Sequence, residues 1–160
     1  PRPGERHGRD YYFVTRARFA AMRHRHGLLE SAIVHGAHYG TPVAPVMRAL
    51  RAGRDVLLSI DVQGAHQVVR RLPCVRIFIL PPSMASLRHR LERRRTESPA
   101  QIRARLALAR RELQAAPYYD YVVINDELHQ AVSQLQAIVT AERCRVRPHT
   151  RRASTHKRAS

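Results

Sequence analysis

Three short runs of apolar, largely β-branched residues limit what this chain can fold into. They span residues 55–60 (DVLLSI), 75–80 (VRIFIL) and 121–124 (YVVI). Runs that are apolar almost throughout are typical of parallel strands buried on both faces. The stretches between them have helical apolar spacing, so the pattern predicts an α/β fold with a parallel sheet at its core.

The helices are predicted from apolar residues spaced three or four apart. One covers residues 84–95 after Ser83, a second begins with Pro99, and a third covers about residues 127–143. The first 54 residues form a smaller mixed segment. It is predicted to contain strands at residues 10–14 and 28–34, helices at 16–26 and 42–51, and a turn at 38–42 (HYGTP).

The charge of the chain is strongly positive, with 29 Lys and Arg against 12 Asp and Glu. This excess favours an anionic partner. Residues 144–160 lack apolar periodicity, so we predict a folded domain over residues 1–143 and a disordered basic tail. We expect nucleic acid not to be a partner, except for non-specific binding through that tail. No apolar run approaches the ~20 residues of a membrane span. The two cysteines form no CxxC pair and suggest no disulfide framework, which fits a reducing compartment. We therefore expect a soluble, cytoplasmic protein.

Two motifs in the mixed segment carry side chains suited to binding. The first, RPGERHGRDYYF, places Arg2 and Tyr11 where a guanidinium and a phenol could hold a phosphate, although a polar hairpin turn has the same composition. The second brings Glu30, Tyr39 and Thr41 near one another. The alternative for Glu30 is an exposed strand residue.

Two further motifs belong to the predicted core. Asp61 follows an apolar run and precedes a glycine-containing turn into a helix. An acid at the carboxyl end of a strand in an open α/β sheet is a candidate ligand-binding residue. The alternative is that Asp61 only caps the helix. Residues 88–111 contain nine arginines; a solvated helix face is the usual meaning of such a run. His35 and His38 lack a third ligand nearby, so no metal site is predicted.

Nine motifs in a fixed order are similar to those of the guanylate kinase family over residues 1–143. They are RPGE, GRDYYFV, LLES, HGAHYGTP, VLLSIDVQGA, FILPPS, RLERRRTES, IRARL and YVVINDEL. The resemblance implies a phosphate-loop-kinase-like parallel core, a GMP-binding segment at about residues 1–54, and an arginine-rich helical lid at about residues 88–111. It also implies transfer of the ATP γ-phosphoryl group to GMP, giving ADP and GDP.

The resemblance also implies roles for individual residues. Those expected to bind GMP are Arg2, Tyr11 and Tyr39 at the phosphate, and Glu30, Thr41 and Asp61 at the guanine. Those expected to stabilise charge on the transferred phosphoryl group are the lid residues Arg90, Arg94 and Arg105. Asn125 would lie on the adenine side of ATP. Mg²⁺ would enter with ATP, and no protein ligand is assigned to it.

Three departures from the family pattern bear on activity. The phosphate-binding motif GxxxxGK[ST] is not among these 160 residues, whose one lysine is Lys157. Ser59 stands where the family usually has an acid, and Arg93 and Arg95 replace glycines of the lid turn. Because the sequence starts inside the family's TTRxxRPGE pattern, we expect an N-terminally truncated guanylate kinase that is inactive alone. The alternative is a non-catalytic binding or interaction module that keeps the GMP-side surface.

Overall fold

The computed structural model describes residues 1, 4–34, 36–93 and 98–146. They divide into two compact units. One comprises Pro1–Arg76 with Arg110–Asp120, and the other comprises Ile77–Ala109 with the described residues from Tyr121 onward. Each unit contains its own buried apolar residues.

The first unit is built around a β-hairpin and the helices that follow it. Its elements are α1 (Arg16–His24), β1 (Leu28–Val34), β2 (Ala37–Pro42), α2 (Val43–Arg51), α3 (Val62–Val69) and a 3₁₀ helix (Leu113–Tyr118). Helix α1 begins after Thr15, whose hydroxyl accepts a hydrogen bond from the Arg18 amide at 3.2 Å. This is the ordinary N-cap interaction of a threonine.

The core of the first unit joins β1, α2 and α3. Leu29, Val46 and Val68 are buried together, one from each element. The half-buried residues packed against them are Val43, Val56, Leu58, Ile60 and Leu72. Since strands β1 and β2 pair in antiparallel register, the hairpin is fixed on one face by this core, and the strand predicted at residues 28–34 is confirmed.

The turn predicted at residues 38–42 is wrong, because these residues lie in strand β2. Gly40 is needed there for space and not for a turn. A Cβ on Gly40 would lie 3.0 Å from the Glu30 carbonyl oxygen and 3.0 Å from the Leu28 Cδ1. Glycine thus allows the close approach of the two strands at this position.

Two of the predicted strands, at residues 10–14 and 55–60, do not form in the described part of the chain. Residues 10–14 contribute only an isolated bridge between His7 and Tyr11, because the Asp10 carboxylate accepts from the Arg6 amide at 2.8 Å and closes a turn. Residues 55–60 lie outside any helix or strand. Their alternate apolar side chains pack on the core, but in the described part of the chain no neighbouring strand pairs with their backbone.

The second unit contains a parallel strand pair. Its elements are β3 (Ile77–Leu80), α4 (Met84–Arg93), β4 (Tyr121–Ile124), α6 (Leu128–Cys144) and most of α5 (Pro99–Glu112). Strands β3 and β4 are parallel, and Val123 on β4 is 1% exposed. The predicted parallel sheet is therefore confirmed for two of its three runs, and the three helices predicted in this region are observed.

Helix α6 ends at Cys144, close to the predicted limit of the folded domain. Residues 147–160, which make up most of the predicted tail, lie outside the described residues. Among the helices that the structure describes, none combines the length and the apolar character needed to cross a membrane.

Val68 and Val69 on α3 provide a matched test of this core. Val68 is 5% exposed and Val69 is 41% exposed. We expect Val68→Ala to lower the free energy of unfolding by about 2 kcal/mol, because it removes buried methyl groups and leaves a cavity. Val69→Ala should cost about 0.5 kcal/mol or less. Urea unfolding followed by circular dichroism measures both, and equal losses would contradict the described packing of α3.

Candidate functional site

Three of the predicted site residues lie on one face of the hairpin. Glu30 on β1 pairs with Thr41 on β2, and Tyr39 pairs with Ala32, two residues further along β1. Residues two apart on a strand point to the same face. The strand pairing therefore places the carboxylate, the hydroxyl and the phenol side by side, as the second motif indicated.

Glu30 is buried, so its interpretation as an exposed strand residue is wrong. It is 4% exposed, and the Thr41 hydroxyl donates to its Oε1 at 2.6 Å. A buried carboxylate needs hydrogen-bond donors to offset the loss of water. This contact supplies one of them and holds the side chain in a defined position.

Tyr11 extends this face beyond the hairpin. Its ring meets the ring of Tyr39 edge to face, with 5.7 Å between the centroids. Tyr11 is 48% exposed, and phenolic hydroxyls can donate to an anion. The structure therefore brings together four predicted residues of the first unit.

The N-terminus of helix α3 lies against Glu30. Asp61 is the N-cap of this helix, and its Oδ1 accepts from the Gly64 amide at 2.7 Å. A Cβ on Gly64 would lie 2.9 Å from the Glu30 Oε2 and 3.2 Å from the Asp61 Oδ1. The two carboxylates thus meet at Gly64, at a helix end whose dipole favours negative charge. The capping interpretation of Asp61 is confirmed, and its contact with a base stays a prediction.

Glu112 is a further acid of this unit that the sequence did not reveal. Burial raises the pKa of Glu112, and the negative charge of Asp61 raises it further. Burial is also the main reason why the pKa of Tyr119 is raised. Glu112 and Tyr119 both feel the charge of Asp61 although they are more than 50 residues away in the sequence. No motif spacing indicates that they lie near it.

Two predicted residues of the second unit contact each other. Arg90 donates from Nη1 to the Asn125 carbonyl oxygen at 2.7 Å and from Nη2 to the Asp126 carbonyl oxygen at 3.2 Å. The Asp126 carboxylate lies 3.8 Å from the same Nη2. Asp126 was not predicted, although it directly follows Asn125 in the motif that singled out that residue.

Arg105 is half-buried on α5. Arg2, Arg94 and His35 lie outside the described residues. The ring of His38 contacts that of Phe19 at 5.4 Å. Within the described ranges, no group of three His, Cys, Asp or Glu side chains is arranged to hold a metal ion.

Comparison with known proteins agrees with the motifs. The family model described as guanylate kinase matches residues 1–142. The chain belongs to the guanylate kinase family. Its α/β fold, with helices and small sheets, is that of the family, and it also resembles a solved structure. This is the crystal structure of guanylate kinase from Anaplasma phagocytophilum, with a TM-score of 0.79, 34% identity, and coverage of 91% of this chain and 72% of that one.

Curated relatives are more similar in sequence. The guanylate kinase of Deinococcus radiodurans is 50% identical over 145 residues, covering 89% of this chain and 61% of the relative. A guanylate kinase of Thermus thermophilus is 53% identical over 146 residues, covering 91% and 66%. The chain therefore spans somewhat less than two thirds of the length of these two family members.

The hydrogen bond between Thr41 and Glu30 can be tested by stability. We expect Thr41→Val to lower the free energy of unfolding by about 1.5–3 kcal/mol, because a buried carboxylate loses a donor. Thr41→Ser keeps the hydroxyl and should lose less than about 1 kcal/mol. Denaturant unfolding measures both variants. Equal losses would show that the hydrogen bond is not the cause.

Proposed function

We propose that this chain carries the GMP-binding part of a guanylate kinase, an enzyme that transfers the γ-phosphoryl group of ATP to GMP and forms ADP and GDP. The carrying observation is the buried Glu30 carboxylate held between Thr41 and the N-terminus of α3. Membership of the family and the names of the similar proteins support the proposal.

The chemistry of guanine suits this carboxylate. Guanine presents two neighbouring donors, its N1–H and its exocyclic amine, and a carboxylate accepts from both. Glu30 Oε1 receives the Thr41 hydroxyl, but each carboxylate oxygen has two lone pairs and can accept again. Adenine lacks this donor pair and would leave the buried carboxylate unsatisfied, which disfavours it. In this proposal Thr41 and Asp61 also face the base.

The phosphate of GMP would lie at the aromatic end of the same face. Tyr11 and Tyr39 lie edge to face there, and their hydroxyls would donate to phosphate oxygens. Arg2 would add a guanidinium, in keeping with the preference of arginine for phosphate. The site would thus hold GMP by its two ends.

Phosphoryl transfer would depend on the arginines of the lid. Arg90, Arg94 and Arg105 would stabilise the charge that develops on the transferred group. The guanidinium of Arg90 has five N–H donors, and its contacts to the Asn125 and Asp126 carbonyls use two of them. Asn125 would lie on the adenine side of ATP. Mg²⁺ would bind as part of the ATP complex and neutralise phosphate charge, and no residue of this chain is assigned to it.

A non-catalytic module of the same family is the second candidate. It is favoured by Ser59 in place of the usual acid and by Arg93 and Arg95 in place of the glycines of the lid turn. The complete GMP-side set argues against it. GMP-dependent formation of ADP by the protein isolated from its native source would distinguish an enzyme from a module.

Base selection can be tested with Glu30→Gln. We expect this change to reduce the preference for GMP over AMP by about tenfold, because the amide offers one acceptor and carries no charge. Glu127→Gln alters an exposed acid outside the first unit and should leave the preference unchanged. Calorimetric titration with both nucleotides provides the measurement. Equal binding of GMP and AMP by the folded wild-type chain would refute the proposal.

Turnover by a polypeptide of these 160 residues is expected to be negligible. Losing one preorganised donor to a transition-state oxyanion costs about 10²- to 10³-fold in rate, and a sequence without GxxxxGK[ST] lacks a whole set of donors to the ATP phosphates. A coupled assay for ADP with ATP, Mg²⁺ and GMP measures this. Selective GMP binding by the same sample serves as the control for folding. Rates on the order of 1–100 per second would show that other residues bind the triphosphate.

A further inference from the structure

Helix α3 and the turn that follows it hold strand β1 by side-chain bonds to its backbone on both sides of Glu30. The Gln67 amide makes two of these bonds. Its Oε1 accepts from the Ser31 N–H at 3.0 Å, and its Nε2 donates to the Ser31 carbonyl oxygen at 2.8 Å. On the other side of Glu30, Arg71 Nη1 donates to the Leu28 carbonyl oxygen at 2.7 Å.

The Gln67 side chain takes the place of a neighbouring strand. A carboxamide presents one acceptor and a donor group in nearly the geometry of a peptide unit. It can therefore satisfy the N–H and the C=O of one residue at once, as a paired strand would. Such a paired contact fixes both the distance and the register of the strand relative to the helix.

The same helix also contacts Glu30 directly. Gly64, three residues before Gln67, lies so close that a Cβ there would be 2.9 Å from the Glu30 Oε2. Between these points, Leu29 packs with Val68 in the core. Four consecutive residues of β1, numbers 28–31, are therefore each contacted by α3 or by Arg71 in the turn after it. A shift of the strand would carry the carboxylate away from Gly64.

We propose that Gln67 is a positioning residue for nucleobase selection, because its paired bonds to Ser31 set the separation of β1 and α3 at which Glu30 presents its carboxylate. This inference rests on the proposed function, in which Glu30 recognises guanine. Gln67 itself acts through the strand. The competing account is that Gln67 only stabilises the fold and has no effect on selectivity.

The variant that tests this role is Gln67→Met, which keeps the length of the side chain and removes both hydrogen bonds to Ser31, together with the 3.3 Å bond from Nε2 to the Gln63 carbonyl oxygen of the same helix. Gln63→Met is the matched control, since Gln63 is an exposed residue one turn earlier on the same helix. Gln67→Glu is a second variant that keeps the acceptor for the Ser31 N–H but loses the donor to its carbonyl oxygen. Each change is also combined with Glu30→Gln.

The first readout is the ratio of GMP to AMP affinity, measured by calorimetry on folded samples. We expect Gln67→Met to reduce this ratio about fivefold, corresponding to the loss of one or two neutral hydrogen bonds. We expect Gln67→Glu to reduce it at least as much, because a carboxylate oxygen would face the Ser31 carbonyl oxygen in place of a donor. Gln63→Met should leave it unchanged. In the Glu30→Gln background, Gln67→Met should reduce the ratio no further. A destabilised Gln67→Met variant with the wild-type ratio would overturn the inference.

The second readout needs no nucleotide. Melting temperatures of wild type, Gln67→Met, Glu30→Gln and the double variant form a cycle in which coupled residues give non-additive shifts. We expect non-additivity for Gln67 with Glu30 and additivity for Gln63 with Glu30. If the wild type fails to prefer GMP, the proposed function is wrong. The melting-temperature cycle still tests whether Gln67 acts on Glu30, and additive shifts would overturn that part of the inference. Should Gln67→Met not fold, the same cycle is measured with Gln67→Glu.

Discussion

A buried carboxylate is the constraint on which the first unit depends. Glu30 is almost without solvent, and an acid in that position is tolerated only where polar groups surround it. The Thr41 hydroxyl and the N-terminal turn of α3 supply that environment. Both require the hairpin to be in one register, because a slip by one residue would turn Glu30 to the opposite face. The fold of the hairpin and the chemistry of the site are therefore set by the same contacts.

Around α3, different side chains provide stability and set the direction of the polar groups. Apolar side chains such as Leu29 and Val68 supply most of the stability, since burial of apolar surface is the dominant favourable term in folding. The polar contacts of Gln67 and Arg71 with the β1 backbone add little net free energy but impose direction. In the proposed function, guanine recognition would need such direction, because it would depend on the placement of one pair of oxygen atoms.

Much of this fold could be predicted from local sequence, and the exceptions have physical reasons. The parallel pair β3–β4 was predictable because its strands are apolar and well separated by helices. Residues 55–60 have the same composition, but a strand also requires a hydrogen-bonded neighbour, which composition does not report. Gly40 suggested a turn because glycine serves both turns and close strand contacts. The pairing of Gln67 with Ser31 spans 36 residues, so no periodicity could reveal it. Glu30 and Thr41, in contrast, were recognised from the side chains of one local motif, and the family resemblance added only their expected role.

The contact at Gly64 links two positions that are far apart in the sequence. A Cβ at position 64 would lie 2.9 Å from the Glu30 Oε2, which is closer than ordinary contact allows. A side chain at position 64 would force the carboxylate to shift from the place where the Thr41 hydroxyl holds it, so the two positions are expected to change together. A lineage that exchanged Glu30 for a shorter residue would be released from the requirement for glycine, and a small polar side chain at position 64 could then fill the space. In the proposed function, in which Glu30 selects the base, a change of base preference should therefore be accompanied by paired substitutions at positions 30 and 64.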